Sequence, residues 1–231
     1  MLNRPLSYAM IVCAAVVGWT TPAPAQQTLN FSIGGFVPLG LDGRAPGDVL
    51  VANRNFLAFD MRDFRGASVG AEWLVPLGRL AEGGIGVGLS RRTVFSFYEN
   101  FVDVDGTDIE QDLRLRLVPV TFTLRVLPLG QSSPLQPYLG AGLGVFNYRY
   151  SESGEFVDFG AGRAIFRDSY VASGSQVGPV VLGGLRFAGD SATAGGEIRY
   201  QKAETDLDDR FAGSKLDLGG WTYSFTVGIR F

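Results

Sequence analysis

The carboxyl-terminal segment of the chain, residues 221–231, alternates apolar with small or polar side chains without a break and reads WTYSFTVGIRF. Because successive side chains of a β-strand point to opposite faces, this period puts the aromatic and aliphatic residues on one face. A soluble edge strand alternates in this way over five or six residues, whereas this run is eleven residues long and ends on Phe231. The segment predicts a strand whose apolar face meets lipid, as in a membrane β-barrel.

The amino-terminal segment, residues 1–25, has the layout of a secretory signal. Arg4 precedes an apolar run at 8–19, and the small-x-small sequence at 23–25 is typical of a cleavage site. The apolar run is too short to span a bilayer. The only cysteine, Cys13, lies in this segment, and Val12 before it is too large for a lipoprotein cleavage box. We expect 1–25 to be removed and 26–231 to form one domain without a thiol or a lipid anchor.

The charge balance excludes one class of partner. Lys and Arg number 20 against 23 Asp and Glu, for a net charge of −3. No basic tract of the kind that binds nucleic acid is present, so nucleic acid is not a predicted partner. After residue 25 no apolar run is long enough for a transmembrane helix. The composition favours one large β domain.

The alternation divides the rest of the chain into eight predicted strands separated by alternately long and short connections. Short turns after even-numbered strands and long loops after odd-numbered ones are typical of outer-membrane barrels, with turns in the periplasm and loops outside. We predict an all-β fold, an eight-stranded antiparallel transmembrane up-and-down β-barrel with four long extracellular loops. The predicted strands are 28–37, 66–76, 83–97, 112–127, 135–150, 175–188, 192–203 and 216–231.

Two strands depart from simple alternation. In the fourth, the apolar parity changes near 117–119, and a β-bulge there would account for the change, since one extra residue flips every later side chain. In the fifth, Gly140, Gly142 and Gly144 leave the facing undecided between a narrow interior and a bend. Tyr138 and Tyr148 are among the aromatic residues that we expect in the interfacial girdles.

Taken together, these features resemble the small outer-membrane β-barrel family that includes the OmpA membrane domain, OmpX and the opacity proteins. The sequence PYLGAGLG at 137–144 is similar to a strand motif of that family. The resemblance implies a location in the bacterial outer membrane, contact with outer-membrane lipid and lipopolysaccharide, and assembly by the barrel-assembly machinery. The terminal strand resembles the assembly signal that this machinery reads, which here comprises Tyr223, Phe225, Val227, Ile229 and Phe231.

Six charged residues fall on the inward parity of the predicted strands. An eight-stranded barrel is filled by its own side chains, so ionised groups inside must pair. We therefore predict an ionic network that plugs the lumen, in which Glu72 and Glu197 each face an arginine; the alternative is that some of the six lie at the rim in water. The six residues are Glu72, Arg125, Arg186, Glu197, Arg199 and Arg230.

The second predicted loop is rich in carboxylates. Asp103, Asp105 and Asp108 are a weak candidate for a Ca²⁺ or Mg²⁺ site, but their spacing does not fit an EF-hand loop, in which glycine follows the third ligand. A solvated acidic loop is the preferred interpretation. We predict no metal and no cofactor.

Histidine is absent from the sequence. The lipid-A-modifying enzymes, phospholipases and proteases that share the predicted architecture resemble one another in using a catalytic histidine, so the sequence does not predict an enzyme. The leading hypothesis is an envelope-structural or surface-interaction role, adhesion or recognition, with an unknown extracellular ligand. The alternatives are a narrow porin-like channel for small solutes and a soluble lipocalin-like carrier.

Overall fold

The computed structural model describes residues 26–160 and 162–231. The predicted signal segment 1–25, with Cys13, lies outside the described residues. The described strands are β1 Thr28–Pro38, β2 Gly66–Pro76, β3 Ala81–Val102, β4 Asp108–Val126, β5 Leu135–Asp158, β6 Ala164–Ala188, β7 Ala192–Gln201, β8 Glu204–Asp206, β9 Lys215–Asp217 and β10 Gly220–Arg230.

Eight of these strands close into one antiparallel barrel. Their order around the ring is β1, β10, β7, β6, β5, β4, β3, β2. β1 and β10, at the two ends of the described chain, pair with each other and close the ring. This arrangement confirms the predicted fold class.

The remaining elements lie in the first and last connections at the loop end. Between β1 and β2 are a 3-10 helix at Leu41–Gly43, the short helix α1 at Val49–Asn53 and a second 3-10 helix at Met61–Phe64. Between β7 and β10, β8 and β9 pair as a small hairpin. No helix of the described residues is long and apolar enough to cross a membrane.

An apolar belt surrounds the turn end of the barrel. On β3, for example, Ile85, Val87 and Leu89 point outward and are exposed, and the residues between them face the interior. The four shortest strands of the ring, β1, β2, β7 and β10, are 10 or 11 residues long, which matches the length that a tilted strand needs to cross the hydrocarbon layer. The belt therefore marks the membrane-embedded part.

Four strands continue far beyond this belt. β3, β4, β5 and β6 are 22, 19, 24 and 25 residues long. The prediction of long second and third loops is therefore wrong, because most of the residues assigned to them extend the sheet. Of the described residues in these two connections, only 103–107, 159–160 and 162–163 lie between the paired strands. The predicted strands were limited to the length that crosses a membrane. Two paired strands can, however, continue into the water beyond the membrane without such a limit.

The bulge predicted in β4 is also wrong. The register between β4 and β5 runs without a shift from Gln111↔Gly154 to Val126↔Leu139. Leu113 and Leu117 point inward and are buried, while Arg114 and Arg116 are exposed. The chemistry of the two faces changes, not the geometry: within the membrane the exterior is apolar, and above it the exterior meets water and the interior is apolar.

The structure resolves the facing of β5. Gly140, Gly142 and Gly144 lie on the inward parity, opposite the exposed Leu139 and Leu143. A Cβ atom on Gly142 would lie 1.9 Å from the Phe122 carbonyl oxygen, so a side chain is excluded there. Glycine thus serves the close approach of neighbouring strands.

Candidate functional site

The membrane-embedded interior is built around Arg125 of β4, whose side chain is 1% exposed. One terminal nitrogen, Nη2, donates to Glu72 Oε2 and lies 2.9 Å from Glu197 Oε2. Glu72 comes from β2 and Glu197 from β7, so the guanidinium joins three walls of the barrel. Its charged centre also lies 4.8 Å from the ring centroid of Tyr138.

Arg199 closes the same cluster from β7. Its Nη2 lies 2.8 Å from Glu197 Oε1 and 3.3 Å from Glu72 Oε2. Each of the two carboxylates also accepts a hydrogen bond from a hydroxyl group. Thr123 Oγ1 donates to Glu72 Oε1 over 3.0 Å, and the Tyr138 hydroxyl donates to Glu197 Oε2 over 3.1 Å. Each carboxylate therefore contacts two arginines and one hydroxyl.

A second pair lies beside this cluster. Arg186 of β6 contacts Glu82 of β3, with 2.9 Å between Nη2 and Oε2, and also donates to Gln136 Oε1 over 2.9 Å. Glu82 Oε1 lies 3.8 Å from Arg125 Nη1, which links the two groups. Together three arginines and three glutamates balance in charge. We call them the lumen network: Glu72, Glu82, Arg125, Arg186, Glu197 and Arg199.

The sequence analysis missed two members of this interior. Glu82 was assigned to the turn before β3, although it shares the parity of the inward Gly84 and Gly86. Tyr138 was assigned to an interfacial girdle with Tyr148, yet both are buried inside the barrel. Continuing the inward parity of β3 one step further would have found Glu82.

Arg230 does not join the lumen network. It is the last residue of β10, and its Nη1 donates to the Gly189 carbonyl oxygen over 2.6 Å at the turn end of the barrel. Among the described residues no ion pair of Arg230 is found. The prediction for this residue is wrong because inward parity at a strand end leads to the rim.

Above the network the interior becomes apolar. A cluster of buried side chains fills the extended part of the barrel and draws on both long connections as well as the strands. Val49 and Leu50 of α1 are fully buried, and Leu216 and Leu218 close the other side. We call this cluster the cap. Beside the lumen network lies a cavity of ≈ 60 Å³, which Glu72, Glu197 and Arg199 line together with other polar groups and glycines of β1, β2, β3, β4, β7 and β10.

A buried ion pair in the first connection is hydrogen-bonded to the last connection, and so joins the two in the cap. Arg44 Nε lies 2.7 Å from Asp48 Oδ1, and both side chains are fully buried. Arg44 also donates to the Asp217 carbonyl oxygen over 2.8 Å, and the Asp217 amide donates to Asp48 Oδ2 over 2.7 Å. Asp48 is in addition the N-cap of α1, where it accepts from the Leu50 amide. We call this group the loop lock.

A second polar group within the cap surrounds Glu152. Glu152 of β5 accepts from Asn53 Nδ2 over 2.6 Å and from the Tyr150 hydroxyl over 2.7 Å, both at Oε1. Burial raises the pKa of Glu152 above its ordinary value, and the two hydrogen bonds oppose this shift. The loop helix α1 is thereby tied to the wall through a carboxyl group that lacks a cationic partner among the described residues.

The other predicted site residues lie on surfaces. The alternate residues of the terminal strand point outward into the belt, and their role as an assembly signal stays a prediction. Asp103 and Asp105 accept hydrogen bonds from Val104 and Thr107 within the hairpin turn. Across the described ranges no three side chains of the metal-ligating types are grouped so that they could hold a metal ion.

No family model matches the chain, and no curated protein matches it in sequence. Solved structures match in fold. OprG from Pseudomonas aeruginosa is 14% identical with a TM-score of 0.50, over 90% of this chain and 96% of that chain. Ail, the attachment invasion locus protein of Yersinia pestis, is 13% identical with a TM-score of 0.49, over 90% and 99%. Neisserial surface protein A is 12% identical with a TM-score of 0.47, over 89% and 97%.

Identities this low show the fold alone, and the match with OprG agrees at that level with the resemblance noted in the sequence. The apolar belt, the antiparallel closure and the short turns at one end meet the requirements of a barrel that spans lipid. The chain has the fold of the small outer-membrane β-barrel proteins, and its apolar belt is a surface of the kind that meets lipid in such barrels.

Proposed function

We propose that this protein is a non-enzymatic, non-conducting outer-membrane barrel that acts through its extracellular extension, in an envelope-structural or surface-interaction role. The observation that carries the proposal is the double obstruction of the interior, by the lumen network in the membrane and by the cap above it. A solute would have to displace Arg125 from two carboxylates and then pass an apolar core.

The exterior of the extension supports an interaction role. Phe95 and Phe97 point outward from β3 beyond the belt and are exposed, and so are Phe159 and Val104 near the hairpin tips. Large apolar side chains in water are common singly, but several on one projecting sheet are typical of a binding surface.

The narrow-channel alternative makes an opposite prediction for ion conductance. The exported protein, purified and inserted into planar lipid bilayers, should be silent. Steady single-channel conductance of the wild type would refute the proposal and favour the channel.

Two variants make a silent result informative. Glu72→Ala with Glu197→Ala opens the network, and Asp48→Ala with Leu50→Ala loosens the cap. We expect conductance only when all four substitutions are combined, because either obstruction alone blocks the path. Conductance of the combined variant shows that an open pore of this barrel is detectable under the same conditions.

A further inference from the structure

Three arginines lie side by side on the outer face of the barrel. Arg91 of β3 is the register partner of Arg116 of β4, and Arg116 is the register partner of Arg149 of β5. All three are exposed. Neighbouring strands are about 4.8 Å apart, so the row spans about 10 Å along the surface. We call these residues the arginine row.

The row lies at the extracellular border of the apolar belt. On β3 the last outward residue of the belt is Leu89, and the next outward residue is Arg91; on β4, Val118 is followed in the same way by Arg116. Side chains that follow a membrane-length apolar stretch lie at the depth of the lipid headgroups. The guanidinium groups are therefore placed where the headgroups of the outer leaflet begin.

The row has no counter-charge among the described residues. None of the three arginines makes an ion pair with another described residue. Beyond Arg149 the register partner on β6 is Ser173. The nearest acidic residue on the outward parity of β4 is Asp112, four positions and about 13 Å beyond Arg116.

Like charges directly opposite each other in a sheet are destabilising. Three adjacent guanidinium groups thus call for an anion from outside the protein. Arg114, exposed on the same face of β4 and hydrogen-bonded to Thr93 Oγ1, adds to the positive field. Guanidinium binds phosphate oxygens in a bidentate way, and its planar donors suit several phosphate oxygens at once.

We propose that the arginine row binds the phosphate groups of a phosphorylated glycolipid of the outer leaflet, namely the lipid A part of lipopolysaccharide. The row lies at the depth of the headgroups on the outer face of the barrel. Its positive charge has no ion-pair partner among the described residues. A bound lipid A would thereby cover the β3, β4 and β5 side of the barrel.

The test compares a row variant with a matched control. The row variant is Arg91→Gln, Arg116→Gln, Arg149→Gln. The control, Arg54→Gln, Arg62→Gln, Arg79→Gln, removes the same charge from exposed arginines elsewhere. Exported protein is purified in detergent and titrated with bisphosphorylated lipid A, with lipid A stripped of both phosphates, or with inorganic phosphate, and binding is followed by native mass spectrometry.

We expect the wild type and the control to bind bisphosphorylated lipid A about 100-fold more tightly than the row variant, since each arginine near an anionic surface contributes about fivefold. The stripped lipid should bind all three proteins equally weakly. Equal binding of bisphosphorylated lipid A by row variant and control would overturn the proposal. Complete competition by millimolar inorganic phosphate would also overturn it, because the row would then be a site for free phosphate.

Folding of each variant is checked by the heat-dependent shift of its mobility on a denaturing gel. If the triple variant does not fold, Arg116→Gln alone serves, with an expected loss of about fivefold. No loss in that single variant would count against the proposal.

Discussion

Replacing Arg125 by methionine tests whether the lumen network holds the barrel together. Methionine keeps the length and much of the volume of the arginine stem but removes the charge. The substitution leaves three carboxylates facing two guanidinium groups, since Glu72, Glu82 and Glu197 remain with Arg186 and Arg199. One negative charge is then buried without compensation.

The size of this destabilisation depends on the ion-pair partners that each carboxylate retains in the variant. Breaking a buried ion pair by removing one partner costs about 3–5 kcal/mol. Here Glu197 keeps Arg199 at 2.8 Å and Glu72 keeps it at 3.3 Å, so the remaining contacts soften the loss. Two nitrogens of Arg125, Nε and Nη1, are buried without a hydrogen-bond partner in the wild type, which lowers the loss further. We expect Arg125→Met to lower the free energy of unfolding by about 3 kcal/mol, the lower end of that range.

Unfolding by guanidinium chloride in lipid vesicles, followed by tryptophan fluorescence, gives this free energy. The double variant Arg125→Met with Glu72→Gln restores neutrality, and we expect it to be more stable than Arg125→Met alone. Arg79→Met in the exposed turn is the matched control and should change stability by less than about 0.5 kcal/mol. A single Arg125→Met variant as stable as this control, or a double variant no more stable than the single, would refute the reasoning.

Three further outcomes are expected. Glu152→Gln should raise the stability of the cap at neutral pH. Because the pKa of the native Glu152 carboxyl is raised, the stability of the wild type falls as the pH rises above the ordinary pKa near 4.5. Hydrogen exchange of the α1 amides should show this fall in the wild type and in a Glu155→Gln control, but not in Glu152→Gln. Asp48→Ala should detach the first connection from β9, because it removes the loop lock and leaves Arg44 buried without its partner, which costs about 3–5 kcal/mol of stability. Limited proteolysis of this variant should cut near α1 while the belt stays intact. Gly142→Val should block folding of the barrel, since its side chain meets the Phe122 carbonyl oxygen, whereas Ala141→Val on the outward face should fold, as gel mobility will report.

The sequence alone determined the strands of the membrane-embedded part. Alternation with period two is a local property of the extended backbone, so the belt on β10 and β2 can be recognised without knowing any neighbour. The inward parity of Glu72, Arg125 and Glu197 follows from the same local rule.

The tertiary structure decided which inward residues meet and what fills the rest of the interior. Arg199 contacts Glu72 from 127 positions away, and this encounter depends on how the ring closes and by how much its strands are staggered. The cap and the loop lock lie in segments whose sequence has no regular period, so only their packing against the extended strands reveals them. The extension of the strands beyond the membrane was missed because the apolar and polar faces of a strand change places there. The same alternation then specifies an apolar interior and an exterior exposed to water.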